Sequence, residues 1–135
     1  MKYYVVDAFA EAVFTGNPAG VCVLDGPIDS ALMQNIAFEN NLAETAFFYR
    51  DGEDYRLKWF TPVDEIDLCG HATLASAYVI MTCLDTSAQS VRFQTMSGLL
   101  TVVRSGEVLT MDFPSRKPTP CELPAGVEAA LGVKV

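Results

Sequence analysis

Five residues in three short stretches could together move a proton: Glu44 in NNLAETAFF, Cys69, Gly70 and His71 in DLCGHAT, and Asn17 in TGNPAG. Glu44 has Leu42, Ala43, Ala46 and Phe47 around it, which sets its carboxyl among apolar neighbours. Burial penalises the charged form and raises the pKa, toward the range where one carboxyl both takes and returns a proton at neutral pH. A glutamate at a strand edge facing water fits the same residues.

Gly70 and His71 stand where an apolar helix should begin, so the free N–H groups and the helix dipole would face a docking anion, for which a substrate carboxylate is the natural guest. Cys69 beside that helix start could have a lowered pKa and act as a thiol base, or could be a packed small residue. For His71 the alternative is a structural histidine hydrogen-bonded at the helix N-cap. Asn17 could orient a polar substrate group through its amide, although Asn-Pro at a turn needs no function. Asp7, Asp64, Glu65 and Asp67 add acid near these loops, as solvated surface does.

With one histidine in the chain, a multi-histidine metal site cannot form, and Cys69 with His71 supplies two candidate ligands. No metal is expected. The G-x-S-x-G elbow, the P-loop and G-x-G-x-x-G are absent, which removes the common motif routes to hydrolase, nucleotide and dinucleotide functions. The chemistry must be sought elsewhere; no cofactor is expected.

The elements that must position these residues follow from pattern. Residues 3–9 read as a strand, TGNPAG as a turn and VCVL as a second strand, so a hairpin opens the fold. Asp29 or Ser30 caps a helix carrying Leu32 and Ile36 that fades near Asn40-Asn41. Two strands, 44–50 and 54–60, flank Asp51-Gly52, a dipeptide suited to a tight hairpin turn. The loop VDEIDLCG leads into HATLASAYVIMT, small-residue-rich and apolar on nearly every face, a helix that protein must surround. Three strands at 90–95, 98–104 and 107–113 make a meander. The sum is an α+β domain of about seven strands and two helices, a curved, mostly antiparallel sheet around a central helix. Residues 1–113 form that domain. Residues 114–135 are a proline-rich connection over 114–124 and the start of a helix leading toward an absent second domain.

The 135 residues, 50% of them hydrophobic, suffice for one core. A net charge of -8 and a pI near 4.4 repel nucleic acid. Four cysteines without C-x-x-C spacing, three of them within apolar runs, indicate no disulfide framework. Asp7 interrupts the N-terminus before a signal-type apolar region develops and no later run approaches a membrane span, so a cytoplasmic protein is expected.

Taken together and in this order, DAFAEAVFTGNPAGV, NLAETAFF and DLCGHATLASAYV resemble the N-terminal half of the PhzF-like phenazine-biosynthesis family, and the resemblance runs on through MDFPSRKP. It implies the fold of diaminopimelate epimerase and proline racemase, two pseudo-symmetric domains with the active site between them. It also implies that Glu44 is the acid/base, that Gly70 and His71 contact substrate, and that Asn17 lines the same cleft. In the related epimerases a cysteine before the glycine is a catalytic base, and Cys69 holds that place here. In phenazine biosynthesis the family member isomerises dihydro-hydroxyanthranilate, moving a proton between carbons without a cofactor. The family's second domain, with a further catalytic aspartate and an anion-binding loop, has no counterpart in this chain.

The expected function is a PhzF-like isomerase or epimerase domain acting on a small carboxylated substrate. Its partner would be a second copy, forming a homodimer, or a separately encoded second half. The alternatives are a non-catalytic half-enzyme serving as a dimerisation or partner-binding module and, further behind, a racemase built on Cys69.

Overall fold

The computed structural model describes residues 1–134. The described residues form eight strands and three α-helices in the order β1 (Lys2–Ala8), β2 (Asn17–Val23), α1 (Ser30–Asn40), β3 (Glu44–Asp51), β4 (Asp54–Phe60), β5 (Glu65–Ile66), α2 (Gly70–Val79), β6 (Ser90–Thr95), β7 (Gly98–Ser105), β8 (Val108–Asp112) and α3 (Val127–Leu131). The α+β expectation holds, with α2 as the central helix.

One sheet contains all eight strands, ordered β1-β2-β3-β4-β6-β7-β8, with β5 pairing β4. The pairs β2/β3 and β4/β6 are parallel and the other five antiparallel, so the sheet is mostly antiparallel as expected. Following these orientations along the path, β1 and β8 run in the same direction, and each is an edge strand.

Side chains alternate across the sheet as the strand period demands. Ala19, Val21, Ala46, Phe48, Leu57 and Trp59 pack on the inner face against α2. Cys22, Phe47 and Phe60 face outward, where Met33 and Ala37 of α1 cover them. α2 is buried along most of its length, and Ala72, Ala75 and Ala77 are at most 1% exposed. These alanines let the sheet approach the helix backbone.

Several boundaries differ from the sequence reading, for physical reasons. β2 begins at Asn17, inside the stretch read as a turn, because Gly16 makes the turn one residue earlier. Its φ is 93° and a Cβ there would lie 2.6 Å from the Ala8 carbonyl oxygen, which only glycine avoids. The loop before α2 contains the two-residue β5, which takes the half of β4 that β6 leaves unpaired. α2 ends as an α-helix at Val79 and continues as a π-helical turn over Ile80–Leu84, which leaves Cys83 exposed despite its apolar run. Asn41 terminates α1 in the left-handed conformation, φ 50°, near the expected place.

Because the alanines of α2 face a sheet that already touches them, enlarging one is expected to strain the core. Ala77→Leu should lower the unfolding free energy by about 1–3 kcal/mol, read from urea denaturation followed by the fluorescence of Trp59.

Candidate functional site

Glu44 is the first residue of β3 and pairs with Ala19 of β2. Strand alternation puts its side chain on the inner face, with Ala46 and Phe48, at the rim where α2 begins. There its Oε2 lies 3.2 Å from Nε2 of His71, with the carboxylate side chain 20% exposed and the imidazole 9%. The water-facing alternative for Glu44 is not what this geometry shows.

The contact between the two groups is close but off the N–H axis. Nε2 of His71 is buried and makes no aligned hydrogen bond to any described residue. A buried polar atom without a partner costs free energy unless something supplies the missing bond. The other ring nitrogen is occupied, since Nδ1 of His71 lies 3.4 Å from Sγ of Cys69. The imidazole is thus wedged between a thiol and a carboxylate.

Cys69 is the N-cap residue of α2, extended at φ -143° and ψ 118°. Its carbonyl oxygen accepts from Thr73 Oγ1 at 2.5 Å, which pins the residue to the first turn. Burial, reinforced by the nearby Glu44 charge, pushes the thiol up to about 11, while the N–H groups of Ala72 and His71 pull the other way and lose. The lowered pKa considered for Cys69 is therefore corrected: desolvation outweighs the helix start, and the group is a protonated thiol at neutral pH.

Gly70 opens the helix. A Cβ at this position would meet nothing closer than the Phe113 ring at 3.9 Å, so packing does not demand glycine and the space beside its backbone is open. Asn17 is exposed and lies two residues before Ala19, on the same face of β2 as the partner of Glu44, about 7 Å along the strand. It shares the rim without touching the Glu44–His71 pair in any recorded contact. Glu65 and Asp67 instead serve ion pairs, a half-buried one to Lys58 at 3.1 Å and an exposed one to Arg116 at 2.8 Å.

The ligand atoms of Glu44, Cys69 and His71 all lie within 4.8 Å of one another. Cys69 and Glu44 address different nitrogens of the same ring, however, and a single cation bound at one nitrogen would draw in only the ligand on that side. A thiol and a carboxylate on opposite sides of one imidazole describe the cluster better than a chelate. The thiol–imidazole contact escaped the sequence reading because residues two apart carry no helical or strand signal across a helix start.

A cavity of about 630 Å³ lies elsewhere, along the seam between β1 and β8, with Leu74, Ala75 and Tyr78 of α2 as its floor. None of the five candidate residues lines it; of the acids noted beside them, Asp7 does.

A curled sheet around a buried helix, with an acid at the rim beside the helix start, defines an epimerase-like α+β fold. The chain belongs to the phenazine biosynthesis-like protein family, whose model matches residues 6–131. It is 56% identical over 134 residues to an uncharacterized isomerase of Pseudomonas aeruginosa, covering 98% of this chain and 51% of that protein. It is 40% identical over 122 residues to a human phenazine biosynthesis-like domain-containing protein, covering 84% and 42% respectively. A crystal structure of a PhzF-family protein from Enterococcus faecalis superposes with a TM-score of 0.87 at 50% identity, over 98% of this chain and 51% of that one. The chain spans about half the length of these relatives. Among the described residues, no helix is long and apolar enough to cross a membrane.

The state of the thiols is directly testable. With its pKa near 11, Cys69 is about one part in a thousand thiolate at pH 8. Iodoacetamide at pH 8 should therefore modify the exposed Cys83 and Cys121 and spare Cys69 and Cys22 until the protein unfolds, as peptide mapping by mass spectrometry would read. Rapid labelling of Cys69 in the folded protein would contradict the assignment.

Proposed function

We propose that this chain supplies one wall of a cofactor-independent isomerase or epimerase site, in which Glu44 moves a proton on a small carboxylated substrate. The observation that carries this reading is the Glu44 carboxylate 3.2 Å from a buried His71 Nε2 that has no aligned partner, at the start of a buried helix. The helix start favours an anion, the open side of Gly70 admits it, and Glu44 is close enough to reach a C–H bond of a molecule anchored there. Asn17 would meet a polar group of the substrate from the neighbouring strand. His71 would contact the same substrate through Nε2.

One wall by itself fixes and desolvates a substrate poorly. A homodimer, or a separately encoded second half, would provide the opposite wall. The test is solvent-deuterium exchange into a panel of small carboxylic acids whose C–H bond is activated by the carboxylate or by an adjacent double bond. Glu44→Gln should slow exchange by at least about 100-fold, and undiminished exchange would remove Glu44 from the mechanism. Gly70→Ala should fold normally yet raise the substrate concentration needed for half-maximal exchange, because its methyl group occupies the open space at the helix start.

The seam favours a second reading, a module that binds a partner. Val5, Tyr78 and Val108 line it and are 57%, 49% and 64% exposed, and Phe9 beside them is 66% exposed. Unpaired strand edges flanking apolar surface invite another strand. Since β1 and β8 run the same way, a strand running opposite to both would extend each as an antiparallel ladder. Light scattering should show association that Val108→Lys weakens; a stable monomer at high concentration would count against the module.

A further inference from the structure

Two observations bear on which nitrogen of His71 carries a proton: Sγ of Cys69 lies 3.4 Å from Nδ1, and Oε2 of Glu44 lies 3.2 Å from Nε2. In the neutral imidazole one nitrogen donates and the other accepts. If Nδ1 held the proton, the lone pair of Nε2 would face the carboxylate oxygen at 3.2 Å, like against like. If Nε2 holds it, no lone pair is set against the nearby carboxylate and the lone pair of Nδ1 faces the thiol.

The thiol is suited to fill that lone pair. Cys69 is 6% exposed, so bulk water does not compete for its proton. Its side chain makes no capping hydrogen bond at the helix start, and the N–H groups of His71 and Ala72 near it are donors, so the S–H finds its acceptor elsewhere. The Thr73 and Ser76 hydroxyls donate to the carbonyls of Cys69 and Ala72, and neither is recorded in contact with the Cys69 sulfur, whereas Nδ1 of His71 lies 3.4 Å from it. Nδ1 of His71 is the acceptor within reach.

We propose that the Cys69 thiol donates its proton to Nδ1 of His71 and thereby holds the neutral ring as the Nε2–H tautomer, so that His71 presents a hydrogen-bond donor to the ligand. Cys69 is then a positioning residue rather than a base. His71 stabilises negative charge on a substrate oxygen, and Glu44 remains the one group of the three with a lone pair free to take a proton from carbon. This deepens the site proposed above and rests on that reading for its catalytic meaning, but the tautomer exists without any substrate.

The chain's single histidine makes the test direct. Two-bond 1H–15N correlation spectra of the 15N-labelled protein, recorded where the ring is neutral, distinguish the two tautomers by their cross-peak patterns with no assignment needed. The wild type is expected to show the Nε2–H pattern, and Cys69→Ser, which keeps a donor, the same pattern. Glu44→Ala should retain it as long as Cys69 is present, whereas Glu44→Ala/Cys69→Ala should lose it to a mixture of tautomers.

An Nδ1–H pattern in the wild type would overturn the proposal. So would collapse of the bias in Glu44→Ala alone, or its persistence in the double variant. Because no turnover is measured, loss of the Glu44 mechanism in the exchange assay leaves this result standing. Conversely, a failed tautomer test with intact Glu44-dependent exchange removes only the role given to Cys69.

Discussion

Burial of α2 is the constraint from which the rest of the structure follows. A helix with Ala72, Ala75, Ala77 and Val79 turned into protein has little face to offer solvent, and a flat sheet could cover only one side of it. The sheet therefore curls, and its inner face is graded by what the helix leaves room for, from the alanines of β2 and β3 at the rim to Phe48, Trp59 and Phe93 deeper in the core. A second layer, α1, is needed because the alternation that buries Ala46 and Phe48 inward also turns Phe47 outward.

The same constraint decides where polar chemistry can sit. A buried helix exposes its free N–H groups only at its end, and a strand residue can reach that end only from the first position of the strand. Glu44 holds that position on β3, and Asn17, first in β2, stands at the same rim without a recorded contact to the cluster. Cys69, the N-cap of α2, and His71 in its first turn complete the group around Glu44. The cluster is thus a product of the rim, where the sheet stops covering the helix. Deeper in the barrel the cost of desolvating a carboxylate would be uncompensated, and farther out water would screen the contact with His71.

Much of this was legible because it rests on periodicity and turn chemistry. The apolar character of HATLASAYVIMT signals a surrounded helix, Asp51-Gly52 marks the β3–β4 hairpin, and the neighbours of Glu44 signal an apolar setting. The features that escaped are those in which tertiary contacts override local pattern. β5 forms only because β4 has an unfilled edge, and the π-helical turn that exposes Cys83 has no compositional mark. The pKa of Cys69 went the other way from expectation for a related reason. Position at a helix start is visible in sequence, while the depth of burial that outweighs it is a property of the folded sheet.

The proton bookkeeping of the cluster limits the mechanisms open to it. A racemase with two bases needs a second group able to accept a proton at neutral pH, and a thiol held near 11 is protonated there. Restoring a thiolate would require relieving its burial or removing the Glu44 charge that opposes it, and Glu44 is the other base such a mechanism would use. The charge on the Glu44 carboxylate thus opposes formation of the thiolate across a shared imidazole. A one-base transfer, in which the same carboxylate removes a proton from one carbon and returns it to another, avoids that conflict. It is the chemistry proposed for this site, whose carboxylate stands 3.2 Å from a ring nitrogen in want of a partner.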